Sequence, residues 1–207
     1  EVFARSVPGA FDGPTTVTWD ATAADGTPLP SGTYTLELTA TDAVGGTTVV
    51  ERTVTVDNDG PTVESLTPAD RALVNTTTPT VTATFDDGTA ASAGINASSV
   101  TVRIDGDPVP LSNATVTESS LVLPNATLTT ATPDDSTHEV TVTVADNASN
   151  VAEATATVTL DALAPRVTLT TARPENVSTN RPTTATLTRT DARPNATTLR
   201  IVPAEGG

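Results

Sequence analysis

The commonest chemical motif in this chain is the acceptor for N-linked sugars, an Asn followed two residues later by Ser or Thr. Seven of the ten Asn residues occupy such a motif with no Pro between, whereas about three would arise by chance in a chain so rich in Ser and Thr. The excess predicts an exported glycoprotein whose sugars add bulk and hydration at loops, and Thr richness alone is the alternative. The predicted acceptors are Asn75, Asn96, Asn113, Asn125, Asn147, Asn176 and Asn195.

Carboxylates crowd a second motif, the segment 57–61, whose sequence is Asp-Asn-Asp-Gly-Pro. A hard cation such as Ca²⁺ prefers carboxylate and carbonyl oxygens. Asp57 and Asp59, together with Asp42, are therefore candidate Ca²⁺ ligands at a joint between domains. The corresponding segment 161–165 reads Asp-Ala-Leu-Ala-Pro and lacks two of these polar positions. A solvated turn stiffened by Pro is therefore the favoured interpretation, and no other cofactor is predicted.

Residues typical of catalysis are scarce. His138 is the single His and aligns with a Tyr in a repeated strand, which indicates a structural ring rather than a general base. Ser and Asp are so abundant that a Ser-His-Asp set around His138 carries no weight. The adjacent acids Asp86 and Asp87 lie in a turn-like segment and are expected to face water, and Trp19 is expected in the core. Because Cys is absent as well, the chain is predicted not to be an enzyme.

The charge of the chain is strongly unbalanced. Asp and Glu number 25 and the basic residues number 10, all of them Arg, which leaves a net charge of −15. A field this negative repels nucleic acid and anionic lipid, and no apolar run approaches the roughly 18 residues that cross a bilayer, so neither nucleic acid nor direct membrane insertion is predicted. The Lys-free, acidic composition resembles that of proteins from extremely halophilic archaea. An acidic secreted protein of a high-GC bacterium is the alternative.

An internal repeat sets the organisation of the chain. Residues 32–63 recur without a gap as residues 136–167, at a spacing of 104 residues, which predicts modules of about 100 residues. Each copy contains an alternating run, an Asp, a turn of small polar residues, a second alternating run and a linker with Pro. The alternating residues are expected to face inward: Leu36, Leu38 and Ala40 in the first copy, and Val140, Val142 and Val144 in the second.

The spacing of strand-like segments, roughly one every 8 to 12 residues without helical periodicity, predicts antiparallel β-sandwiches. Residues 1–57 are interpreted as the closing strands of an incomplete module, 61–161 as a complete sandwich, and 165–207 as the opening strands of a third module. The incomplete ends are expected to belong to a longer array. Alternatively, they complement each other between subunits by strand addition.

Two stretches of the chain resemble known families of immunoglobulin-like domains. The run VTWDATAADGTPLPSGTYTLELTATDAVG resembles the immunoglobulin-like (Ig-like) domain of bacterial flagellar hook-capping proteins. The second module is similar to the Ig-like repeats of large bacterial and archaeal surface proteins, with a Pro that opens the first strand and an Asp-x-x-x-Asn turn at Asp146 and Asn150. In the first copy this turn has Asp42 and Gly46. These resemblances imply tandem Ig-like sandwiches that act outside the cell as spacer, adhesive or assembly modules.

The predicted function is therefore that of a non-catalytic structural module in a secreted, glycosylated cell-surface protein, such as a surface layer, filament or stalk. Its expected partners are neighbouring copies of itself or of the same surface assembly, and N-linked glycans. The alternative is an adhesive or carbohydrate-binding accessory module of a secreted protein or hydrolase. That alternative would need a concave aromatic surface or a metal site, and the sequence shows no aromatic platform beyond Trp19.

Overall fold

The structure is a computed structural model, and it describes residues 3–5, 13–88, 91–128, 134–171, 185–190 and 198. The regular elements in these ranges are all β-strands, and the same ranges contain no helix that could span a membrane. The strands, in chain order, are β1 (Gly32–Thr41), β2 (Thr47–Val56), β3 (Thr62–Thr67), β4 (Leu73–Val74), β5 (Val81–Asp86), β6 (Ile95–Ile104), β7 (Asp107–Pro108), β8 (Thr115–Val116), β9 (Ser120–Leu123), β10 (Asp134–Asp146), β11 (Val151–Asp161), β12 (Arg166–Thr171) and β13 (Ala185–Thr190).

Strands β3 to β11 form two sheets of a sandwich. One sheet has the order β3-β5-β9-β8 and the other has the order β4-β11-β10-β6-β7. The first segment of the sandwich contributes a strand to each sheet. β3 pairs antiparallel with β5 in one sheet, and β4 pairs parallel with β11 in the other. This is the strand arrangement of an Ig-like sandwich. The predicted all-β, Ig-like fold class is therefore confirmed.

Aliphatic side chains fill the space between the two sheets. Val140, Val142 and Val144 alternate along β10 and are fully buried, as are Val81 of β5 and Leu121 of β9 in the same cluster. β10 is a central strand, paired with β11 on one side and with β6 on the other. Because burial of each such side chain is worth roughly 1.5–3 kcal/mol, this aliphatic layer is the main stabilising contribution to the sandwich.

The two copies of the repeat fold into the same hairpin. β1 pairs with β2 and β10 pairs with β11, and the register that places Gly32 opposite Val56 recurs unchanged in the second hairpin. In each turn the N–H of an Asp donates to the carbonyl four residues on, at 2.9 Å from Asp42 and at 3.0 Å from Asp146. The repeat thus specifies a hairpin of fixed register and turn, and the arrangement of whole modules in tandem stays a prediction.

The expected inward face is confirmed in β10 and is wrong in β1. Leu36 and Leu38 are 46% and 68% exposed, and among the described strands β1 and β2 pair only with each other. The hairpin of β12 and β13 is also a separate two-stranded sheet, with Val167 and Leu169 exposed. Alternation decides which side chains share a face of a strand, but burial needs a second sheet over that face. Within the described ranges, only the second copy of the repeat has one.

Equivalent substitutions in the two hairpins will test whether stability depends on the alternating sequence pattern or on the burial of the side chain. Val142→Ala is expected to lower the free energy of unfolding by about 2–3 kcal/mol, because it removes two buried methyl groups and leaves a cavity. Leu38, at the same position of the first copy, is exposed, so Leu38→Ala is expected to change the free energy by less than about 0.5 kcal/mol. Urea unfolding followed by circular dichroism measures both values. Equal losses would contradict the difference in burial.

Candidate functional site

Three carboxylates meet at the end of the sandwich where the linker from β2 arrives. Asp57 follows β2, Asp87 follows β5, and Asp146 is the last residue of β10. One oxygen from each carboxylate lies within 4.8 Å of the oxygens from the other two. Asp146 is 1% exposed, and Asp57 and Asp87 are half-buried. These three residues are termed the junction acids below.

Asn150 holds the linker against the turn between β10 and β11. Its backbone N–H donates to Oδ1 of Asp146 at 2.9 Å, and its side-chain Nδ2 donates to Oδ2 of Asp146 at 2.8 Å. The same Nδ2 lies 3.1 Å from the carbonyl oxygens of Asp57 and of Asp59. The sequence identified the Asp-x-x-x-Asn turn but not this contact, which joins residues 93 positions apart and leaves no local signal.

Backbone N–H groups orient the other two junction acids. Oδ2 of Asp57 accepts the N–H of Ala93 at 2.6 Å, and Oδ2 of Asp87 accepts the N–H of Gly94 at 2.8 Å and the hydroxyl of Ser92 at 2.5 Å. Oδ1 of Asp87 is buried and accepts no hydrogen bond from the described residues. The expectation that Asp87 faces water is therefore wrong, because the loop before β6 folds back onto its carboxylate.

Like charges at this separation repel one another. Two unit charges about 5 Å apart interact by about 3 kcal/mol at an effective dielectric constant of about 20. The ion pair of Arg71 with Asp70 and the contact of His138 with Asp105, which are the contacts of this kind found among the described residues, lie outside the junction acids. The hydrogen-bond donors described above for the junction acids are neutral N–H and O–H groups. Three oriented carboxylates of this kind can bind a hard cation through oxygen.

The structure brings one of the three predicted Ca²⁺ ligands into this cluster. Asp57 belongs to it, whereas Asp59 contacts it through its backbone alone: its carbonyl accepts the amide of Asn150, and its N–H donates to Oδ1 of Asp57. Asp42 lies at the turn of the first hairpin, and its Oδ1 accepts the N–H groups of Val44 and Gly46 within that turn. The ten residues of β1 separate that turn from the linker end of the hairpin, a distance of about 30 Å for an extended strand.

The predicted glycan acceptors lie mostly on the surface, where an oligosaccharyltransferase could reach them. Four of the acceptors are exposed, one is half-buried within β6, and two lie outside the described residues. The exposed acceptors are Asn75, Asn113, Asn125 and Asn147, and the half-buried acceptor is Asn96. Asn176 and Asn195 lie outside the described residues. Asn113 and Asn125 line one groove, of about 700 Å³.

The amide of Asn147 is already used inside the fold. Its Nδ2 lies 3.0 Å from the carbonyl oxygens of both Ala93 and Gly94. An N-linked sugar replaces one of the two hydrogens on this nitrogen, so the folded chain cannot keep both bonds and carry a glycan there.

A hydrogen-bonded chain of Ser136, His138 and Asp105 forms at the other end of β10. His138 is 4% exposed; its Nδ1 lies 2.7 Å from Oδ2 of Asp105 and its Nε2 lies 3.0 Å from Oγ of Ser136. The abundance of Ser and Asp in the sequence left no reason to expect this set, yet these residues do meet. Oδ1 of Asp105 also accepts the N–H of Glu139, and the N–H of Asp105 donates to the Glu139 carbonyl. These contacts fasten the turn between β6 and β7 to β10.

Comparisons with known proteins agree with the Ig-like fold in one segment. Residues 6–43 match the family described as FlgD Ig-like domain, which supports an Ig-like domain there. No curated protein matches the chain. Among solved structures, the chain is similar to dimeric latent PorU from Porphyromonas gingivalis, with 14% identity and a TM-score of 0.39. The similarity covers 73% of this chain and 22% of the PorU chain, and at that score it supports no argument about function.

Removing the carboxylate of Asp105 is expected to destabilise the sandwich. Asp105→Ala should lower the free energy of unfolding by about 1–2 kcal/mol, because the buried imidazole of His138 and the N–H of Glu139 lose their acceptor. Asp107→Ala, an exposed acid two residues away, serves as the control and should change it by less than about 0.5 kcal/mol. Thermal unfolding of the three proteins checks this.

A second measurement distinguishes a structural role of the Ser136-His138-Asp105 contacts from a catalytic one. Ser136→Ala is expected to leave the hydrolysis of p-nitrophenyl acetate at the level of the parent chain, because the structural interpretation gives the hydroxyl no nucleophilic role. A loss of hydrolysis in Ser136→Ala that Asp107→Ala does not share would contradict it and indicate a working triad.

Proposed function

We propose that the chain is a non-catalytic structural module of a secreted, glycosylated cell-surface protein, acting as a spacer or assembly unit in a surface layer, filament or stalk. Its proposed partners are neighbouring copies of itself, or other parts of the same assembly, and N-linked glycans. The net charge of −15 without Lys suits concentrated salt, so a halophilic archaeal source is part of the proposal.

The observation that supports a spacer is the path of the chain through the sandwich. The linker arrives at the junction acids, where β3 begins with Thr62 opposite Asp86. β11 starts at the same end, next to Asn150, and runs 11 residues to Asp161, a distance of about 35 Å. The following linker therefore leaves from the opposite end of the sandwich. Modules joined in this way extend in line rather than folding back.

The first and last strands of the sandwich are also bonded side by side. β4 runs parallel to β11, the N–H of Thr159 donates to the carbonyl of Ala72 at 2.9 Å, and the N–H of Arg71 donates to the carbonyl of Thr157 at 2.6 Å. The N–H of Thr157 donates to Oδ1 of Asp70 at 3.0 Å. Tension between the two linkers would load these bonds in shear, so several must break together. This favours a module that resists pulling.

The alternative, an adhesive or carbohydrate-binding accessory module, has weaker support. Trp19 is half-buried, its Nε1 donates to the carbonyl of Thr22 at 2.8 Å, and its ring lies 6.4 Å from that of Phe3. The groove of about 700 Å³ at the far end of the sandwich is lined by Asp, Asn, Pro, Ser, Thr and aliphatic residues. A sugar would find no aromatic face to stack on in that lining. The structural role is therefore the one proposed.

Pulling single molecules of the full chain by its ends will test the spacer role. Unfolding of residues 61–161 is expected to lengthen the chain by about 300 Å, since about 100 residues extend from a sandwich about 35 Å long. Asp70→Ala should lower the rupture force without changing this gain in length, because it removes the acceptor for Thr157. Glu118→Ala, an exposed acid on the opposite sheet, is the control. Rupture forces that are equal in all three proteins would contradict the role assigned to the β4–β11 contact.

Glycopeptide mapping of native material will test the glycoprotein role. Sugars are expected on one or more of Asn75, Asn113 and Asn125, because these side chains are exposed. Asn147 is expected to be unmodified, because its amide is bonded to two carbonyl oxygens. Mass spectrometry of proteolytic peptides reads each site separately. If all seven predicted acceptors lack sugar, the glycosylated part of the proposal fails.

A further inference from the structure

We propose that the junction acids Asp57, Asp87 and Asp146 form a Ca²⁺ site that locks the linker to the end of the sandwich. The inference goes beyond the spacer role, since it assigns a ligand to a defined set of side chains. Binding of the cation does not depend on the spacer role. The functional meaning of a locked linker does rest on that proposed role.

The first argument is the unpartnered oxygen of Asp87. Its Oδ1 is buried without a hydrogen bond from the described residues, although Oδ2 of the same carboxylate accepts two. A buried carboxylate oxygen without a partner is costly, and such atoms in native proteins often mark a bound ion. The neighbouring groups include two further carboxylates, one of them 1% exposed, and neither can donate to Oδ1 while ionised. One bound cation would give all three carboxylates a partner of opposite charge.

The second argument is the size of the site. Ca²⁺ binds oxygen at about 2.3–2.6 Å, so two oxygens on opposite sides of one ion are separated by at most about 5 Å. The three carboxylate oxygens lie within 4.8 Å of one another, so one point lies within about 2.8 Å of all three, and an approach of a few tenths of an ångström brings them to Ca²⁺ distance. Mg²⁺ binds at about 2.0–2.1 Å and demands an octahedron, which would require contraction at the upper end of this range. The remaining Ca²⁺ ligands would be water or nearby carbonyl oxygens.

The third argument is that the ligands are already oriented. Asp57 is held by the N–H of Ala93, Asp87 by the N–H of Gly94, and Asp146 by the backbone and side chain of Asn150. Binding normally loses conformational entropy as the ligand side chains become ordered. Here the hydrogen bonds of the fold already order these side chains, so less entropy is lost when the ion binds. The carboxylates come from the linker, the loop after β5 and the turn after β10. One ion would therefore join all three segments.

The difference between the two linkers does not oppose this site. The second linker replaces Asp59 by Leu163, which argued against a shared metal site when Asp59 was a candidate ligand. The structure places Asp57 in the cluster and leaves the Asp59 carboxylate out of it. Asp57 corresponds to Asp161, so both linkers keep the one linker residue that the site uses.

Titration of the full chain with CaCl₂, after dialysis against EDTA and then buffer, tests the proposal at a constant, high NaCl concentration. Isothermal titration calorimetry should show one site, and the melting temperature should rise by about 10 °C at a hundredfold excess over Kd. Asp57→Asn and Asp87→Asn should each weaken binding at least about tenfold. Asp59→Asn and Asp42→Asn, which change acids outside the cluster, should bind as the parent does.

The melting temperatures of Asp87→Asn separate a ligand from an ordinary structural acid. In EDTA this variant should melt no lower than the parent, because removing one of three like charges relieves repulsion. In Ca²⁺ it should melt below the parent, because the ligand is lost. Absence of binding to the parent at 10 mM CaCl₂ overturns the proposal, as does equal weakening by Asp59→Asn and Asp57→Asn. Either result leaves the spacer role to its own pulling experiment.

Discussion

Burial of the apolar face of β10 is the contribution on which the rest of the sandwich depends. Val140, Val142 and Val144 are fully buried, and β10 is the strand to which both β6 and β11 are hydrogen-bonded. The chain has no Cys and only 2% aromatic residues, so neither disulfides nor large rings can replace this aliphatic layer. The positions of the junction acids follow from it. Asp146 ends β10, and the register of that strand therefore sets where its carboxylate lies.

The two hairpins of the repeat show how much stability comes from what covers a strand. They share register and turn, yet Val142 is fully buried while Leu38 at the same position is 68% exposed. Local sequence is sufficient for the hairpin, because pairing and turn involve neighbours in the chain. A hydrophobic core additionally needs a facing sheet, and in the described ranges β3, β5 and β9 provide one only for the second copy.

The junction combines a tie through neutral groups with a cluster of like charges. The amide of Asn150 joins the linker carbonyls to the buried carboxylate of Asp146. The junction acids repel one another at the same place, so the tie holds the linker where the charges would push it away. In a chain with a net charge of −15, these three acids are the group of carboxylates that meets within 4.8 Å among the described residues. The proposed Ca²⁺ site rests on this combination.

The sequence by itself determined the all-β class, the repeated hairpin and the alternation that places Val140, Val142 and Val144 on one face of β10, because these follow from period-2 patterns and turns between near neighbours. It also indicated acids at the linker, and it selected Asp57 together with Asp42 and Asp59. Only the tertiary structure decided that Asp57 meets Asp87 and Asp146, that Asn150 holds the linker, and that Leu38 is exposed. These features depend on contacts between segments far apart in the chain. Their positions are set by how the two sheets pack, and no local pattern encodes that.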